Sequence, residues 1–438
     1  MYTEDLILYK NFKNSAILSN ISSLLGYANE NADEAWDEMI SWVDPKRMVT
    51  DSINMLIDLA FSHGFSGNLW HAYLTFLLVN NENPYSMACE IRGEVKGSIN
   101  EAALHDFAIF KTLFDLDLLE LFKKYGVDKS DYIFNYDAGS EAGKVFNKRV
   151  RDRIMELSKK LAEASDEHEI KSMMTDFYKD FGVGRFGLHK AFRVEHKDDS
   201  DVEVIPITNI QHVDLSDLVG YESQKKKLMD NTEAFLAGRP ANNCLLYGEA
   251  GTGKSTSIKA ILNMYYDKGL RIIEMYKHQF KDINDVIAQI KNRNYKFIIY
   301  MDDLSFEEFE IEYKYLKAVI EGGLEKKPEN VLIYATSNRR HLVKESFNDR
   351  NDYDEDLHSS DTKQEKQSLA ARFGVRIFFP SPEKKEYNNI VRELADRYNI
   401  KLDDETLILE ANKWEIAHGG LSGRTASQFV DYLRGFEE

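Results

Sequence analysis

The sequence has few cysteines, no excess of positive charge and no long apolar run. Its 438 residues include two cysteines, Cys89 and Cys244, which lie far apart and show no metal-ligand spacing. Such sparse cysteine is typical of a reducing cytosol. Lys and Arg number 56 against 74 Asp and Glu, which gives a net charge of −18. This balance disfavours nucleic acid over the whole surface, because phosphates need a positive field, although it does not exclude a local basic groove.

Membrane and export signals are also missing from the pattern. The longest apolar stretches, such as residues 72–79, fall far short of the roughly 20 residues that a membrane helix needs. Residues 1–5 are acidic, whereas a signal peptide would begin with basic residues. We therefore expect a cytoplasmic protein with no membrane segment.

The pattern of apolar and polar residues divides the chain into four segments. This number is close to the three folding units that the length predicts at roughly 150 residues each. Residues 1–182 carry apolar residues at three- and four-residue spacing, which predicts a helical domain without catalytic motifs. Residues 183–211 contain two short strand-like runs and predict a β-containing linker. Across 212–380, five apolar runs alternate with helices, which predicts a five-stranded parallel sheet flanked by helices. Residues 381–438 predict a helical lid, and the acidic stretch 349–361 predicts a solvated loop.

A glycine-rich loop follows the first of those five runs. Residues 248–255 match G-x-x-x-x-G-K-[ST] at every position. Backbone N–H groups in such a loop wrap a triphosphate, and the following helix N-terminus adds positive charge. Lys254 would reach the β- and γ-phosphates of ATP, and the Ser255 hydroxyl would bind Mg²⁺. The alternative is an ordinary glycine-rich turn with an exposed lysine. The predicted loop contacts are Gly248, Glu249, Ala250, Gly251, Thr252, Gly253, Lys254, Ser255 and Thr256.

Two carboxylates, Asp302 and Asp303, follow the apolar run at 297–301. The carboxyl ends of parallel strands are where open α/β sheets bind ligands. We predict that Asp302 holds Mg²⁺ through water and that Asp303 orients or deprotonates the attacking water. A solvated strand end is the alternative interpretation.

Residues 182–187 fit G-x-G-x-x-G, the dinucleotide fingerprint. That fingerprint must follow a strand and open a helix. Here it follows a helical pattern and leads towards a strand. We therefore reject dinucleotide binding and interpret the segment as a glycine-rich hinge.

With these motifs in order, residues 212–438 resemble the AAA+ ATPases, a branch of the P-loop enzymes. The resemblance implies a nucleotide-binding α/β core followed by a helical lid. It includes segments similar to the adenine-covering stretch, the phosphate loop, the acidic strand end, sensor one, the arginine finger and sensor two. The matching stretches are 214–221, 248–255, 297–303, 335–340, 369–374 and 421–425.

The resemblance implies roles for single residues. Leu218 and Val219 would cover the adenine ring, and Asn338 would hold the lytic water near the γ-phosphate, with a helix N-cap as the alternative for Asn338. Arg372 would be an arginine finger given to a neighbouring subunit, which implies a homo-oligomer; a structural ion pair is its alternative. Arg424 would touch the γ-phosphate and couple the lid to nucleotide state, unless it is an exposed helical arginine.

A narrower resemblance concerns residues 181–194, 303–308 and 337–341. These stretches are similar to a bacterial AAA+ family, the domain of unknown function 815, which implies no particular substrate. Most AAA+ hydrolases carry glutamate after the metal-binding aspartate, and Asp303 is one methylene shorter. Some nucleotide-dependent AAA+ proteins with an Asp-Asp pair act more as slow switches than as fast motors. Arg339 and Arg340 receive no clear role.

Three functions follow as hypotheses. The first is a Mg-ATP hydrolase, forming ADP and phosphate, that remodels a protein or nucleoprotein assembly, with the helical region recognising an unknown protein client. The second is an ATP-binding switch or scaffold with little hydrolysis. The third is a DNA-dependent loader-type ATPase, which the charge of −18 disfavours.

Overall fold

The computed structural model describes residues 2–29, 44–137, 148–196, 202–306, 312–321, 328–338 and 369–435. The chain divides into two compact units, Met1–His189 and Lys190–Glu438. The predicted acidic loop at 349–361, together with Arg339 and Arg340, lies outside the described residues. No helix among the described residues combines the length and the apolar character needed to cross a bilayer.

The first unit is helical in its described part, as predicted, with one isolated β-bridge between Gly67 and Tyr136. Its most buried helix, α4, is apolar on nearly every side, so the other helices can pack around it. The helices are α1 Tyr2–Asp5, α2 Ala16–Asn29, α3 Pro45–His63, α4 Leu69–Asn80, α5 Pro84–Arg92, α6 Ile99–Phe114, α7 Leu118–Lys124, α8 Lys148–Ala162, α9 Glu167–Phe181 and α10 Gly184–Leu188, with a 3₁₀ turn at Asp131–Phe134.

A buried carboxylate fixes the N-terminal segment onto this unit. Asp106 on α6 is fully buried. Its oxygens accept hydrogen bonds from the backbone N–H groups of Ile7, Leu8 and Tyr9 at 2.8, 2.7 and 2.9 Å. Charged acceptors make the stronger kind of hydrogen bond, so Asp106 is an anchor for the segment between α1 and α2.

The G-x-G-x-x-G segment at 182–187 lies between α9 and β1 and therefore follows a helix, as its sequence context predicted. Its glycines permit close packing. A Cβ at Gly184, whose φ is +64°, would overlap the carboxylate of Glu82. A Cβ at Gly187 would lie 2.5 Å from the backbone of Gly182. The hinge interpretation stays a prediction.

The described part of the second unit contains a seven-stranded sheet in the order β2-β1-β4-β5-β6-β3-β7. β2 pairs antiparallel with β1, and the other neighbours are parallel. β3 to β7 correspond to the five predicted strands. The strands are β1 Ala191–His196, β2 Val202–Pro206, β3 Cys244–Gly248, β4 Leu270–Glu274, β5 Lys296–Met301, β6 Val331–Ser337 and β7 Val375–Phe379.

The predicted count of five strands and the predicted linker at 183–211 both need correction. β1 pairs with β4, with Ala191 opposite Ile272. The side chains of Phe192 and Val194 are buried, so β1 is a structural strand of the sheet and not a connecting segment. The sheet thus has two more strands than predicted, and they belong to the second unit.

In its described residues the second unit has the helices α11 Glu222–Leu236, α12 Lys254–Tyr265, α13 Ile283–Ile290, α14 Glu312–Glu321, α15 Lys384–Arg397, α16 Asp404–Ala417 and α17 Gly423–Arg434, with 3₁₀ turns at Leu215–Asp217, Tyr266–Lys268 and Lys277–Asp282. The last three helices form the predicted lid. They surround their own hydrophobic cluster, which includes Tyr387, Val391 and Phe429, and Val219 packs against this cluster. The lid is therefore joined to the segment that precedes α11.

Candidate nucleotide site

A cavity of about 570 Å³ lies at the carboxyl ends of β5 and β6, beside the loop that follows β3, and the lid contributes part of its wall. Apolar side chains line one part of it, and charged or polar groups line another. Its lining residues are Asp217, Leu218, Val219, Tyr221, Gly251, Thr252, Gly253, Lys254, Ser255, Thr256, Asp302, Asp303, Thr336, Asn338, Ile390, Leu394, Gly423, Arg424, Ser427 and Gln428.

The loop between β3 and α12 has the geometry that its glycines predict. β3 ends at Gly248, and α12 begins at Lys254. Gly253 has a φ of +91°, in the region that side-chain-bearing residues rarely adopt. A Cβ at Gly253 would overlap Cδ1 of Leu218. Leu218 therefore packs directly on the loop, which only glycine allows.

Lys254 lies against the loop backbone and is 6% exposed. Its Nζ donates hydrogen bonds to the carbonyl oxygens of Gly248 at 3.0 Å and Glu249 at 2.6 Å. Burial lowers the pKa of Lys254 below its ordinary value of 10.5, against the opposing effects of Asp303 and Glu249. A phosphate at this loop would compete with those carbonyls for the ammonium protons.

Asp302 is connected to both neighbouring segments of the site. Ser255 Oγ donates to Asp302 Oδ1 at 2.7 Å, and Thr336 Oγ1 donates to the same oxygen at 2.5 Å. Desolvation alone would raise the pKa of Asp302, but the hydrogen bonds from Thr336 and Ser255 hold that pKa below its ordinary value of 3.8. Asp302 is thus kept ionised, as a cation ligand must be.

Asp303 adopts a left-handed conformation with a φ of +48°, which is uncommon outside glycine. Its backbone N–H lies within hydrogen-bonding distance of Asp302 Oδ1 and of Thr336 Oγ1, at 3.1 and 3.0 Å. Asn338 Nδ2 donates to Asp303 Oδ1 at 2.8 Å. The predicted Asn338 and Asp303 are therefore direct partners. The alternative role of Asn338 as a helix N-cap concerns residues outside the described part of the chain.

The lid docks on the phosphate loop through its last helix. The backbone N–H of Arg424, in the first turn of α17, donates to Gly251 O at 3.1 Å. Gly251 has a φ of +73°, and a Cβ there would lie 2.9 Å from Arg424 Cβ and 3.0 Å from Ser422 Oγ. A second lid contact joins Arg397 Nη1 of α15 to Asp217 Oδ1 at 3.0 Å.

The structure does not bring every predicted residue to the cavity. Gly248, Glu249 and Ala250 belong to the loop but do not line the cavity. Arg372 is also outside it, in the turn before β7. Because Val375 of β7 pairs with the first residue of β3, this turn lies at the amino ends of the strands, at the opposite edge of the sheet. The role of Arg372 in a neighbouring subunit stays a prediction.

Several lining residues were missed by the sequence analysis. Thr336 carried a usable signal, because it is a hydroxyl side chain two positions before Asn338 at the end of the adjacent strand. Ile390 and Leu394 face the cavity from one side of α15, at the four-residue spacing of a helix face. Tyr221 ends the stretch 214–221 that resembles the adenine-covering segment, but no role of its own was predicted; its hydroxyl donates to Pro380 O at 2.8 Å across a long sequence separation.

Together the fold and the cavity define a class. A parallel sheet carries a phosphate-type loop after β3, paired carboxylates after β5 and an amide after β6, and a helical lid touches that loop. This is the core fold of the AAA+ P-loop ATPases. More particularly, the chain belongs to the family described as "Protein of unknown function (DUF815)", whose model matches residues 187–437.

The solved structures to which the chain is similar over part of its length include the Thermotoga maritima RuvB Holliday junction branch migration motor. It is 16% identical with a TM-score of 0.36, and the match covers 51% of this chain and 65% of that chain. The FIGL-1 AAA domain in complex with ADP is also 16% identical with a TM-score of 0.36, over 52% of this chain and 76% of that chain. The chain thus spans about 65% of the length of the RuvB chain that it matches. No curated protein matches it.

Proposed function

We propose that the second unit binds Mg-ATP and hydrolyses it to ADP and phosphate, and that the cycle remodels a protein or nucleoprotein assembly in the cytoplasm. One observation carries the proposal. A single cavity of about 570 Å³ joins an apolar wall, formed by Leu218, Val219, Ile390 and Leu394, to a phosphate-type loop and two carboxylates. Its size lies within the roughly 300–1,000 Å³ of ligand pockets. An apolar wall suits a base, and the loop suits a triphosphate.

The donor set fits Mg²⁺. This ion is usually held by one or two carboxylates together with water and substrate phosphates, and not by a protein cage. In the described part of the chain, no three His, Cys, Asp or Glu side chains converge to make such a cage. Ser255 and Asp302 would hold the ion, and Mg-ATP supplies the γ-phosphoryl group with its charge partly neutralised.

The residues around this group would each act on charge or protons. Lys254 and Arg424 would neutralise the phosphate oxygens, and Arg372 would do so from a neighbouring subunit of a homo-oligomer. Asp303, oriented by Asn338, would take a proton from the attacking water. The new bond joins that water oxygen to the γ-phosphorus, and the bond to the β–γ bridging oxygen breaks, so ADP leaves with the electron pair.

A second candidate, an ATP-binding switch with little hydrolysis, is favoured by the geometry of Asp303. Its carboxylate already accepts a hydrogen bond from Asn338, and its backbone has a φ of +48°. A short carboxylate held in this way reaches less far than glutamate would. ATP binding would then change which partners the protein binds, and ATP would be hydrolysed only slowly.

The deciding experiment is steady-state ATP hydrolysis across protein concentrations. Wild type is compared with Lys254→Ala and with Arg372→Ala. Lys259→Ala is a matched control for the first variant, because Lys259 is exposed on the same helix and outside the cavity. Arg239→Ala, an exposed arginine outside the cavity, is the control for the second.

For a hydrolase completed between subunits, specific activity rises with protein concentration. Lys254→Ala abolishes that activity, Arg372→Ala lowers it by about 10³-fold or more, as for a finger in trans, and both controls keep it. ATP binding without turnover at any concentration supports the switch. If wild type does not bind ATP, both candidates are wrong.

The first unit is our candidate for recognising the client. It is a separate compact unit with its own core, and the residues that line the nucleotide cavity all belong to the second unit. The test is affinity capture by the tagged full-length protein and by a chain that starts at Lys190, each with ATP and with ADP. A client retained by the shorter chain would contradict recognition by the first unit. A client retained equally in both nucleotides would contradict coupling to the ATP cycle.

A further inference from the structure

Thr336 contacts both aspartates of the cavity, the carboxylate of Asp302 and the backbone of Asp303. It is the sixth residue of β6, and it is 1% exposed. Its hydroxyl donates to Asp302 Oδ1 at 2.5 Å and accepts from the backbone N–H of Asp303 at 3.0 Å. The Thr336 hydroxyl thus donates its only proton to Asp302 and accepts the backbone N–H of Asp303 with a lone pair.

This arrangement constrains Ser255 as well. Asp302 Oδ1 is also the acceptor for the Ser255 hydroxyl, at 2.7 Å. Because Ser255 donates its proton to Asp302, its oxygen can act towards a cation only through its lone pairs. Thr336 fixes the oxygen that receives this proton. A displaced Asp302 would therefore also turn Ser255.

Thr336 bears equally on Asp303. A left-handed backbone at a residue other than glycine persists only where surrounding contacts hold it. The hydrogen bond from the Asp303 N–H to Thr336 is one such contact, and the bond from Asn338 to the Asp303 carboxylate is another. Both contacts come from β6 and the residue that follows it, so a single segment sets the direction in which Asp303 points.

We propose that Thr336 is a positioning residue that aligns the cation ligands Asp302 and Ser255 with the water-activating Asp303. This inference rests on the proposed function, because it concerns how the same cavity takes Mg-ATP. It assigns to Thr336 no contact with the reacting atoms. Groups that orient metal ligands typically change metal affinity or activity by about 10–100-fold when they are removed.

The test compares Thr336→Ser with Thr336→Ala. Both lose the γ-methyl group, and only the serine keeps the hydroxyl. Thr336→Val provides the complementary variant, with the shape of threonine and no hydroxyl. Thr232→Val is the control, since Thr232 is also buried, bonds to Leu228 O and the Tyr334 hydroxyl, and lies outside the cavity.

The measured quantity is the affinity for a fluorescent ATP analogue with Mg²⁺ and with EDTA. The gain is the ratio of the affinity with Mg²⁺ to the affinity with EDTA. In Thr336→Ala and Thr336→Val this gain should be about 10–100-fold smaller than in wild type, and the affinity with EDTA should stay close to that of wild type. Thr336→Ser and Thr232→Val should keep the gain.

Each outcome is decisive. Equal Mg²⁺ gains in Thr336→Ala and Thr336→Ser would overturn the inference and leave the proposed function standing. Equal losses in both would also overturn it, because the methyl group and not the hydroxyl would then matter. A wild type that fails to bind the analogue with or without Mg²⁺ would overturn the proposed function itself.

Discussion

A methyl group added at Gly251 tests whether the lid rests on the phosphate loop. Gly251 has a φ of +73°, so alanine there carries a left-handed strain of about 1–2 kcal/mol. Its Cβ would also lie 2.9 Å from Arg424 Cβ and 3.0 Å from Ser422 Oγ. Overpacking costs about 1–3 kcal/mol, and the first turn of a partly exposed helix can shift, so we take the lower end. Gly251→Ala should therefore destabilise the second unit by about 2–3 kcal/mol.

Gly238→Ala separates these two effects. Gly238 has a similar φ of +70°, but nothing lies within 4 Å of a Cβ placed there. Gly238→Ala should therefore lower the free energy of unfolding only by the strain of about 1–2 kcal/mol. The additional cost of about 1 kcal/mol in Gly251→Ala comes from the contact with the lid. If this contact is also present when ATP is bound, the cost corresponds to a loss of ATP affinity of about fivefold.

The assay combines denaturant unfolding with binding of a fluorescent ATP analogue. Trp414, on α16 of the lid, reports lid unfolding by its emission, because its ring stacks on His418 at 3.9 Å between centroids. Gly238→Ala should bind the analogue as wild type does. If Gly251→Ala binds ATP as tightly as Gly238→Ala, the lid does not rest on the loop when nucleotide is bound, and the reasoning is refuted.

Three further predictions concern pH, stability and thiol chemistry. Lysine binds phosphate while protonated, and the pKa of Lys254 is already lowered in the free protein. ATP affinity measured from about pH 7 to 10 should therefore begin to fall at a lower pH than it would if Lys254 had the usual pKa of a lysine. Lys254→Gln should remove this decrease of affinity with pH. Asp106→Asn should reduce the free energy of unfolding by about 3 kcal/mol, since hydrogen bonds to a charged group contribute about 1.5–3 kcal/mol each; Asp58→Asn, at an exposed site, should change it by less than about 0.5 kcal/mol. An equal effect of the two in urea unfolding would contradict the anchor role. Cys89 and Cys244 are both buried, and burial raises the pKa of each thiol, so neither should react with a coloured disulfide reagent at neutral pH until the protein unfolds. Rapid labelling of the native protein would disprove this.

The sequence predicted the parts of the site that depend on local pattern. A glycine-lysine-serine loop has few conformations open to it, so residues 248–255 could be placed between a strand and a helix from their pattern alone. Asp302 and Asn338 could be placed together because both follow buried parallel strands, and parallel strands end at one edge of a sheet.

What was missed depends on contacts between distant segments. The strand-like pattern of β1 and β2 was visible, but a short apolar run does not say which strand it pairs with. Ala191 of β1 lies opposite Ile272 of β4, and β2, β3 and two α-helices separate the two strands in the chain. The docking of Arg424 on Gly251 likewise joins the lid to a loop far away in sequence. Helix periodicity could indicate the lid but not the loop on which it rests.

The pairing of β1 with β4 decides where the ATPase unit can be cut. A fragment starting at residue 212, where the sequence pattern placed the core, would lack both added strands and leave β4 as an open edge. Unpaired edge strands recruit other chains, so such a fragment would be prone to aggregate. A fragment that starts at Lys190 keeps the sheet complete, and it is the one to express when the unit is wanted alone.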